Sequence, residues 1–192
     1  NRKFLNKHYT IDNIERAHVT LNFMKTLWFN TGTLCNLKCK GCYIESSPKN
    51  DSLEYLTKNE VSKYLNELDQ FYNVNQIGFT GGEPFMNPYI IEILEDTLSR
   101  GYEALVLTNG MKPMQKLEKK LLSIKKNFNK KLMIRVSLDH YSKSLHESER
   151  GNNTWEVTIR GLKWLSDNDF NFFIASRKIS NESENELRNS FK

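Results

Sequence analysis

Thr26-Leu27-Trp28-Phe29-Asn30-Thr31-Gly32-Thr33-Leu34-Cys35-Asn36-Leu37-Lys38-Cys39-Lys40-Gly41-Cys42 is the stretch that decides the fold. Its first six residues are rich in aromatic and β-favouring side chains and read as a strand. That strand runs straight into a loop holding all three cysteines of the chain, Cys35, Cys39 and Cys42. Reactive side chains at the C-terminal end of a strand are what parallel α/β folds offer to ligands, so strand-helix alternation should follow.

It does. Thr57 and Glu60 form a capping-box pattern, with Val61, Tyr64, Leu65 and Leu68 at helical spacing behind it. Gln76 to Thr80 reads as a strand broken by Gly81-Gly82. Asn87-Pro88 then starts a helix carrying Ile90, Ile91, Leu94 and Leu98, stopped by Gly101. A third unit pairs Ala104 to Leu107 with a helix beginning near Pro113 (Leu117, Leu121, Ile124). A fourth pairs Leu132 to Val136 with a helix that Asn153 and Glu156 cap (Trp155, Ile159, Leu162, Leu165). Phe172 to Ser176 is the fifth strand, and Glu186, Leu187 and Phe191 mark a closing helix. Residues 1–25 read as an N-terminal extension with a short helix around Ile11, Ile14 and Ala17, and residues 26–192 as one core domain. Alternation implies right-handed crossovers and a parallel sheet. Periodicity leaves open whether the sheet curls toward a barrel or stays doubly wound. Either way, the cysteine loop, Gly81-Gly82-Glu83-Pro84, Thr108-Asn109-Gly110 and Ser137-Leu138-Asp139 should converge on one face.

Composition sets the bounds. The 192 residues are 38% hydrophobic and 27% charged, with 11 Phe, 8 Tyr and 3 Trp, which suits one packed domain and excludes a disordered tail. Apolar runs such as Tyr89-Ile90-Ile91 and Phe172-Phe173-Ile174-Ala175 fall far short of the roughly twenty residues of a membrane span. No apolar leader opens the chain, so the expected setting is cytoplasmic and reducing, without a membrane partner. The net charge of +5 is densest around Lys116, Lys119, Lys120, Lys125, Lys126, Lys130 and Lys131. A lysine-rich helical face of this kind reads as solvated surface rather than a nucleic-acid footprint.

Three cysteines within eight residues make a poor disulfide framework and a good metal site. Fully extended, the segment would reach roughly 20 Å or more; curled, it turns three sulfurs around one small object. A four-iron cluster takes four thiolates, so three leave one position open, and an open position is what catalytic metal sites keep. Lys38 and Lys40 add positive charge beside the ligands. Zinc with His8, His18, His140 or His146 as fourth ligand, and inert thiols, stand as alternatives.

Cys35-Asn36-Leu37-Lys38-Cys39-Lys40-Gly41-Cys42 followed by Gly81-Gly82-Glu83-Pro84 resembles the radical S-adenosylmethionine (radical SAM) enzymes. Leu107-Thr108-Asn109-Gly110, Val136-Ser137-Leu138-Asp139 and Arg150-Gly151 continue the likeness, which runs from about residue 26 to about residue 187. The resemblance implies a partial (β/α) TIM-type barrel in which Cys35, Cys39 and Cys42 hold a [4Fe-4S] cluster. S-adenosyl-L-methionine would chelate its unique iron and be cleaved reductively to a 5'-deoxyadenosyl radical that abstracts hydrogen from an organic substrate, a peptide, a protein or a cofactor precursor. A reductant such as flavodoxin or ferredoxin would feed the cluster. By motif position, the backbone of Gly81, Gly82, Glu83 and Pro84 would meet the cofactor's amino group, Ser137 its ribose or carboxylate, and Arg150 its carboxylate, against a competing salt bridge from Arg150 to Glu147 or Glu149. No Gly-Lys-Ser/Thr follows the glycines, so they are not a phosphate loop. Thr108 and Asn109 read as a turn. Two departures stand out: Gly41 sits where the family commonly has an aromatic residue, and Ile174-Ala175-Ser176-Arg177 lacks the Gly-x-Ile-x-Gly adenine motif. The chain also stops before the family's sixth strand, so the reading expects a core incomplete at its C-terminus. The alternative is a non-catalytic iron-sulfur or zinc module on the same scaffold.

Overall fold

The computed structural model describes residues 6–18, 24–71 and 73–192, with the side chains of 69–71 left aside. Five strands form one sheet: β1 (Thr26–Asn30), β2 (Gln76–Thr80), β3 (Glu103–Thr108), β4 (Leu132–Ser137) and β5 (Asn171–Ala175). All four pairings are parallel, and the spatial order β1-β2-β3-β4-β5 is the chain order. A doubly wound sheet reverses direction at a switch point. This one never does, so each crossover steps the same way and the sheet is a segment of a TIM-type barrel.

Alternation along the strands separates two faces. Phe29, Ile77, Phe79, Ala104, Val106, Ile134 and Val136 pack under the helices in one core. Ile77, Phe79 and Ile134 are fully buried, each worth about 1.5–3 kcal/mol of transfer free energy. The opposite, concave face carries Trp28, Gly78, Leu105, Met133 and Asn171 in one register row. Trp28 lies flat across Gly78, where a Cβ would stand 2.3 Å from the indole, and remains 44% exposed.

The helices cover the convex face. α1 (Lys58–Phe71) starts at the expected box: Thr57 N–H donates to Glu60 Oε2 (2.8 Å) and Glu60 N–H to Thr57 Oγ1 (3.3 Å). Before α2 (Ile90–Ser99), Asn87 Oδ1 accepts from Tyr89 N–H at 2.8 Å. Its Nδ2 donates to the carbonyls of Thr31 (3.2 Å) and Leu56 (2.8 Å), pinning this helix entrance to the end of β1. Gly101 (φ +96°) ends α2 as its position implied.

Three local expectations need correction. The helix expected from Pro113 is two helices, α3 (Lys112–Gln115) and α4 (Glu118–Phe128). Gln115 Nε2 reaches the carbonyls of Gly110 (3.0 Å) and Val157 (2.9 Å), which fixes the direction of α3 while Leu121 and Ile124 of α4 turn into the core. Between β4 and β5 the sequence showed one helix; the structure has α5 (Lys143–Arg150) and α6 (Trp155–Asp167). Asn153 does not cap α6 but takes a left-handed turn (φ 63°) between the two. In the extension, Tyr9 bridges Glu15 antiparallel and Thr10 N–H donates to the Ile14 carbonyl (2.8 Å), a turn rather than a helix. Ile11 and Ile14 are 65% and 64% exposed, so no apolar face drives a helix there. Residues 1–5 and 19–23 of the expected extension lie outside the described residues. α7 (Glu184–Ser190) closes the chain behind a Ser183/Glu186 capping box.

Candidate active site at the carboxyl ends of the strands

Past their last paired residues, β1 and β2 stay in contact. Thr31 N–H donates to the Thr80 carbonyl (2.8 Å), Gly82 N–H to that of Gly32 (2.8 Å) and Glu83 N–H to that of Leu34 (3.1 Å). Cys35 N–H then donates to the Ser47 carbonyl at 3.1 Å, which sets the first cysteine. Two glycines make this approach possible: Gly81 has φ +128°, and a Cβ on Gly82 would stand 2.2 Å from the Leu34 carbonyl oxygen.

Glu83 is 2% exposed and buries its carboxylate behind the loop. Oε1 accepts from Phe85 N–H (3.1 Å) and the Thr108 hydroxyl (2.7 Å), and Oε2 from Asn109 N–H (2.8 Å). Burial raises its pKa against the pull of these donors. Thr108 and Asn109 are therefore more than a turn, since they lock the end of β3 to the Gly-Gly-Glu-Pro loop. Asn109 Nδ2 continues the chain to Asn36 Oδ1 (2.9 Å) inside the cysteine loop.

These elements surround a cavity of about 300 Å³. Cys35, Cys39 and Cys42 line it, and so do Gly81, Gly82, Ser137 and Arg150. Glu83 and Pro84 are buried, and their role here is to shape the loop. A larger cleft, about 1110 Å³, lies between β5 and α7 and meets the cavity at Ala175 and Ser176.

One acid organises the far wall. Asp139, 1% exposed, accepts from Arg150 Nε (2.8 Å) and Nη2 (3.1 Å) and from Arg177 Nε (3.0 Å) and Nη2 (2.6 Å). Burial alone would raise its pKa; the hydrogen bonds and charges of the two guanidinium groups carry it below the ordinary carboxylate value. Arg150 thus pairs with Asp139 rather than with Glu147 or Glu149. In sequence, Asp139 has no role beyond its place after a strand, and nothing signals Arg177, whose partner is 38 residues away.

The thiols are free. Burial, Glu83 and the neighbouring sulfurs push the Cys35 thiol up to about 12. Burial also raises Cys39, against the Arg150 and Arg177 charges. Among the described residues, no three His, Cys, Asp or Glu side chains are grouped closely enough to share one metal ion. Of the histidines considered for zinc, His140 is held by Ser142 N–H (2.9 Å) and Glu182 (3.1 Å). His146 Nδ1 accepts from Asp139 N–H (3.3 Å), and burial lowers its pKa to about 4. Three thiols spaced around a cavity, beside two guanidinium groups, fit an anionic [4Fe-4S] cluster better than a single ion.

The chain is similar to several known proteins. The chain is 33% identical over 136 residues to the antilisterial bacteriocin subtilosin biosynthesis protein AlbA of Bacillus subtilis (strain 168), covering 69% of this chain and 28% of AlbA. It is 24% identical to mycofactocin maturase MftC of Mycolicibacterium smegmatis, covering 80% of this chain and 37% of MftC. Among solved structures, Streptococcus suis SuiB bound to S-adenosylmethionine superposes with a TM-score of 0.60 at 16% identity, over 88% of this chain and 46% of SuiB. The chain therefore spans less than half the length of each of these proteins. No helix among the described residues is long and apolar enough to cross a membrane. The family model of the Radical SAM superfamily matches residues 29–192, and the chain belongs to that superfamily, whose members use a [4Fe-4S] cluster and S-adenosylmethionine.

Proposed function

We propose that this chain is the cofactor-binding core of a radical enzyme acting on a peptide or protein substrate. The observation that carries the catalytic part is that all three cysteines line one cavity together with the Gly81-Gly82 backbone, Ser137 and Arg150. When bound, the cluster and S-adenosylmethionine supply radical chemistry that takes a hydrogen atom from substrate. The protein's own residues do the rest. Cys35, Cys39 and Cys42 hold the cluster. Gly81 and Gly82 present backbone at close range, with Glu83 and Pro84 fixing that backbone from behind, and receive the amino group. Ser137 offers a hydroxyl from the end of β4 to the ribose or carboxylate. Arg150, oriented by Asp139 through Nε and Nη2, would bind the carboxylate.

The peptide part rests on likeness to a protein named for bacteriocin biosynthesis, to a maturase, and to SuiB, solved with the precursor peptide SuiA. The cleft between β5 and α7, which shares Ala175 and Ser176 with the cavity lining, is where such a substrate would lie. Electrons would come from a flavodoxin or ferredoxin.

The test uses the full natural protein, reconstituted without oxygen with iron and sulfide, then given dithionite and S-adenosylmethionine. Release of 5'-deoxyadenosine is expected, rising when the cognate precursor peptide is added. Tight zinc binding with no cofactor cleavage would instead establish a non-catalytic module. Stimulation by small molecules alone would remove the peptide assignment.

A further inference from the structure

The backbone between Cys39 and Cys42 has one internal hydrogen bond, Cys42 N–H to the Cys39 carbonyl at 3.4 Å. Two bonds tie it to the barrel. Lys40 N–H donates to the Glu149 carbonyl (2.9 Å), and Arg177 Nη1 donates to the Gly41 carbonyl (3.3 Å). The Arg177 tether is itself rigid. Its main-chain N–H donates to the Asp139 carbonyl (3.2 Å), its Nε and Nη2 grip the Asp139 carboxylate, and Nη2 lies 3.7 Å from Glu149 Oε2. The ends of β4 and β5, not the loop, therefore set where this guanidinium stands. A Cβ on Gly41 would lie 2.6 Å from Arg177 Nη1, so a side chain at position 41 requires this guanidinium to shift from the place where it meets the Gly41 carbonyl.

We propose that Arg177 is a positioning residue for the cysteine loop, holding its backbone between the second and third ligands, and that Gly41 is its matched partner. Arg177 also brings a second cation beside the Arg150-Asp139 pair, and with Glu149 at 3.7 Å the two guanidinium groups balance two carboxylates, so removing Arg177 would leave an excess negative charge next to Cys39. Positive charge near the cluster favours the reduced, more negative state. The inference rests on the three cysteines holding the cluster.

The experiment uses the full natural protein, reconstituted without oxygen, with variants R177Q, R177K, G41A and G41A/R177Q. Two quantities are read in the absence of S-adenosylmethionine: the rate of iron loss to a ferrous chelator, and the cluster midpoint potential from a redox titration followed by electron paramagnetic resonance. R177Q is expected to lose iron about tenfold faster and to reduce about tenfold less favourably, a downward shift of about 59 mV for one electron. R177K, which keeps the charge but not the fork, is expected to restore the potential and not the iron-loss rate. G41A is expected to speed iron loss in the wild-type background and to add nothing to R177Q. An R177Q protein whose iron-loss rate is unchanged overturns the positioning role, and one whose potential is unchanged overturns the charge role, whatever its melting temperature. A G41A effect of equal size in both backgrounds overturns the pairing. A wild-type protein that assembles no cluster overturns the site assignment itself, a separate result.

Discussion

Gly82→Ala is the sharpest test of how the site is built. The new Cβ would stand 2.2 Å from the Leu34 carbonyl oxygen, 2.6 Å from its carbon and 2.8 Å from the Thr33 oxygen, all backbone atoms. An ordinary C···O approach is about 3.3 Å, so the Leu34 carbonyl must retreat by roughly 1 Å. It cannot do so cheaply, because it accepts from Glu83 N–H at 3.1 Å, and the neighbouring Gly82 N–H holds Gly32 at 2.8 Å. Two hydrogen bonds at about 0.5–1.5 kcal/mol each and about 1–3 kcal/mol of overpacking give a loss of roughly 2–6 kcal/mol. At about 2–4 °C per kcal/mol for a domain of this size, the melting temperature should fall by roughly 4–24 °C. Since Leu34 adjoins Cys35, the iron content of the reconstituted protein should fall as well. Gly101→Ala is the control: φ is +96° but no atom lies within 4 Å, so only backbone strain of about 1–2 kcal/mol is added and iron content stays full. Calorimetry and iron analysis on both variants decide the matter. A G82A protein that melts no lower than G101A and keeps its iron would refute the close-approach account.

Other outcomes follow from the same geometry. Cys39→Ala should abolish cluster assembly in a chain that still folds, read from visible absorption and circular dichroism, because half-buried Cys39 is one of the three proposed ligands and the chain has no other cysteine. Asp139→Asn should cost about 3 kcal/mol in urea unfolding at pH 7, since it leaves two guanidinium groups without their counter-charge. The Asp139 pKa is lowered on folding, so its stabilisation is present above the unfolded value and is lost as pH falls through the folded one. The gap between wild type and D139N should accordingly close in acid, and a gap that is the same at pH 3 and pH 7 would refute the charge assignment. Thr57→Ala should cost about 1 kcal/mol, a few degrees of melting temperature, without changing iron content, because the box it breaks is exposed and its side-chain bonds run only between Thr57 and Glu60.

The strands were legible because each is a short apolar run bounded by a glycine, proline or polar turn, and all five fall within a residue or two of their expected positions. The convergence of the four loops followed from topology alone. Barrel against open sheet was not legible, since local periodicity is the same in both and only spatial order separates them. The split of α3 from α4 depends on Gln115 reaching Val157, and the turn at Asn153 depends on how α5 and α6 pack; neither leaves a trace in the spacing of apolar residues. The Asp139 network escaped for a related reason. Its members come from β4, α5 and the end of β5, and a carboxylate after a strand looks the same in sequence whether it faces solvent or holds two arginines. Glu83 was visible as a motif residue, yet its burial under Thr108 and Asn109 was not, because their separations of 25 and 26 residues carry no period.

The placement of Trp28 has an optical consequence. Trp155 and Trp164 are partly buried against the core, whereas the Trp28 indole lies open over Gly78 inside the curve of the sheet. Its emission should therefore lie to the red of theirs and respond first to whatever enters the hollow. Replacing the other two with phenylalanine would leave a single fluorophore that reports on occupancy of the barrel interior without any added label.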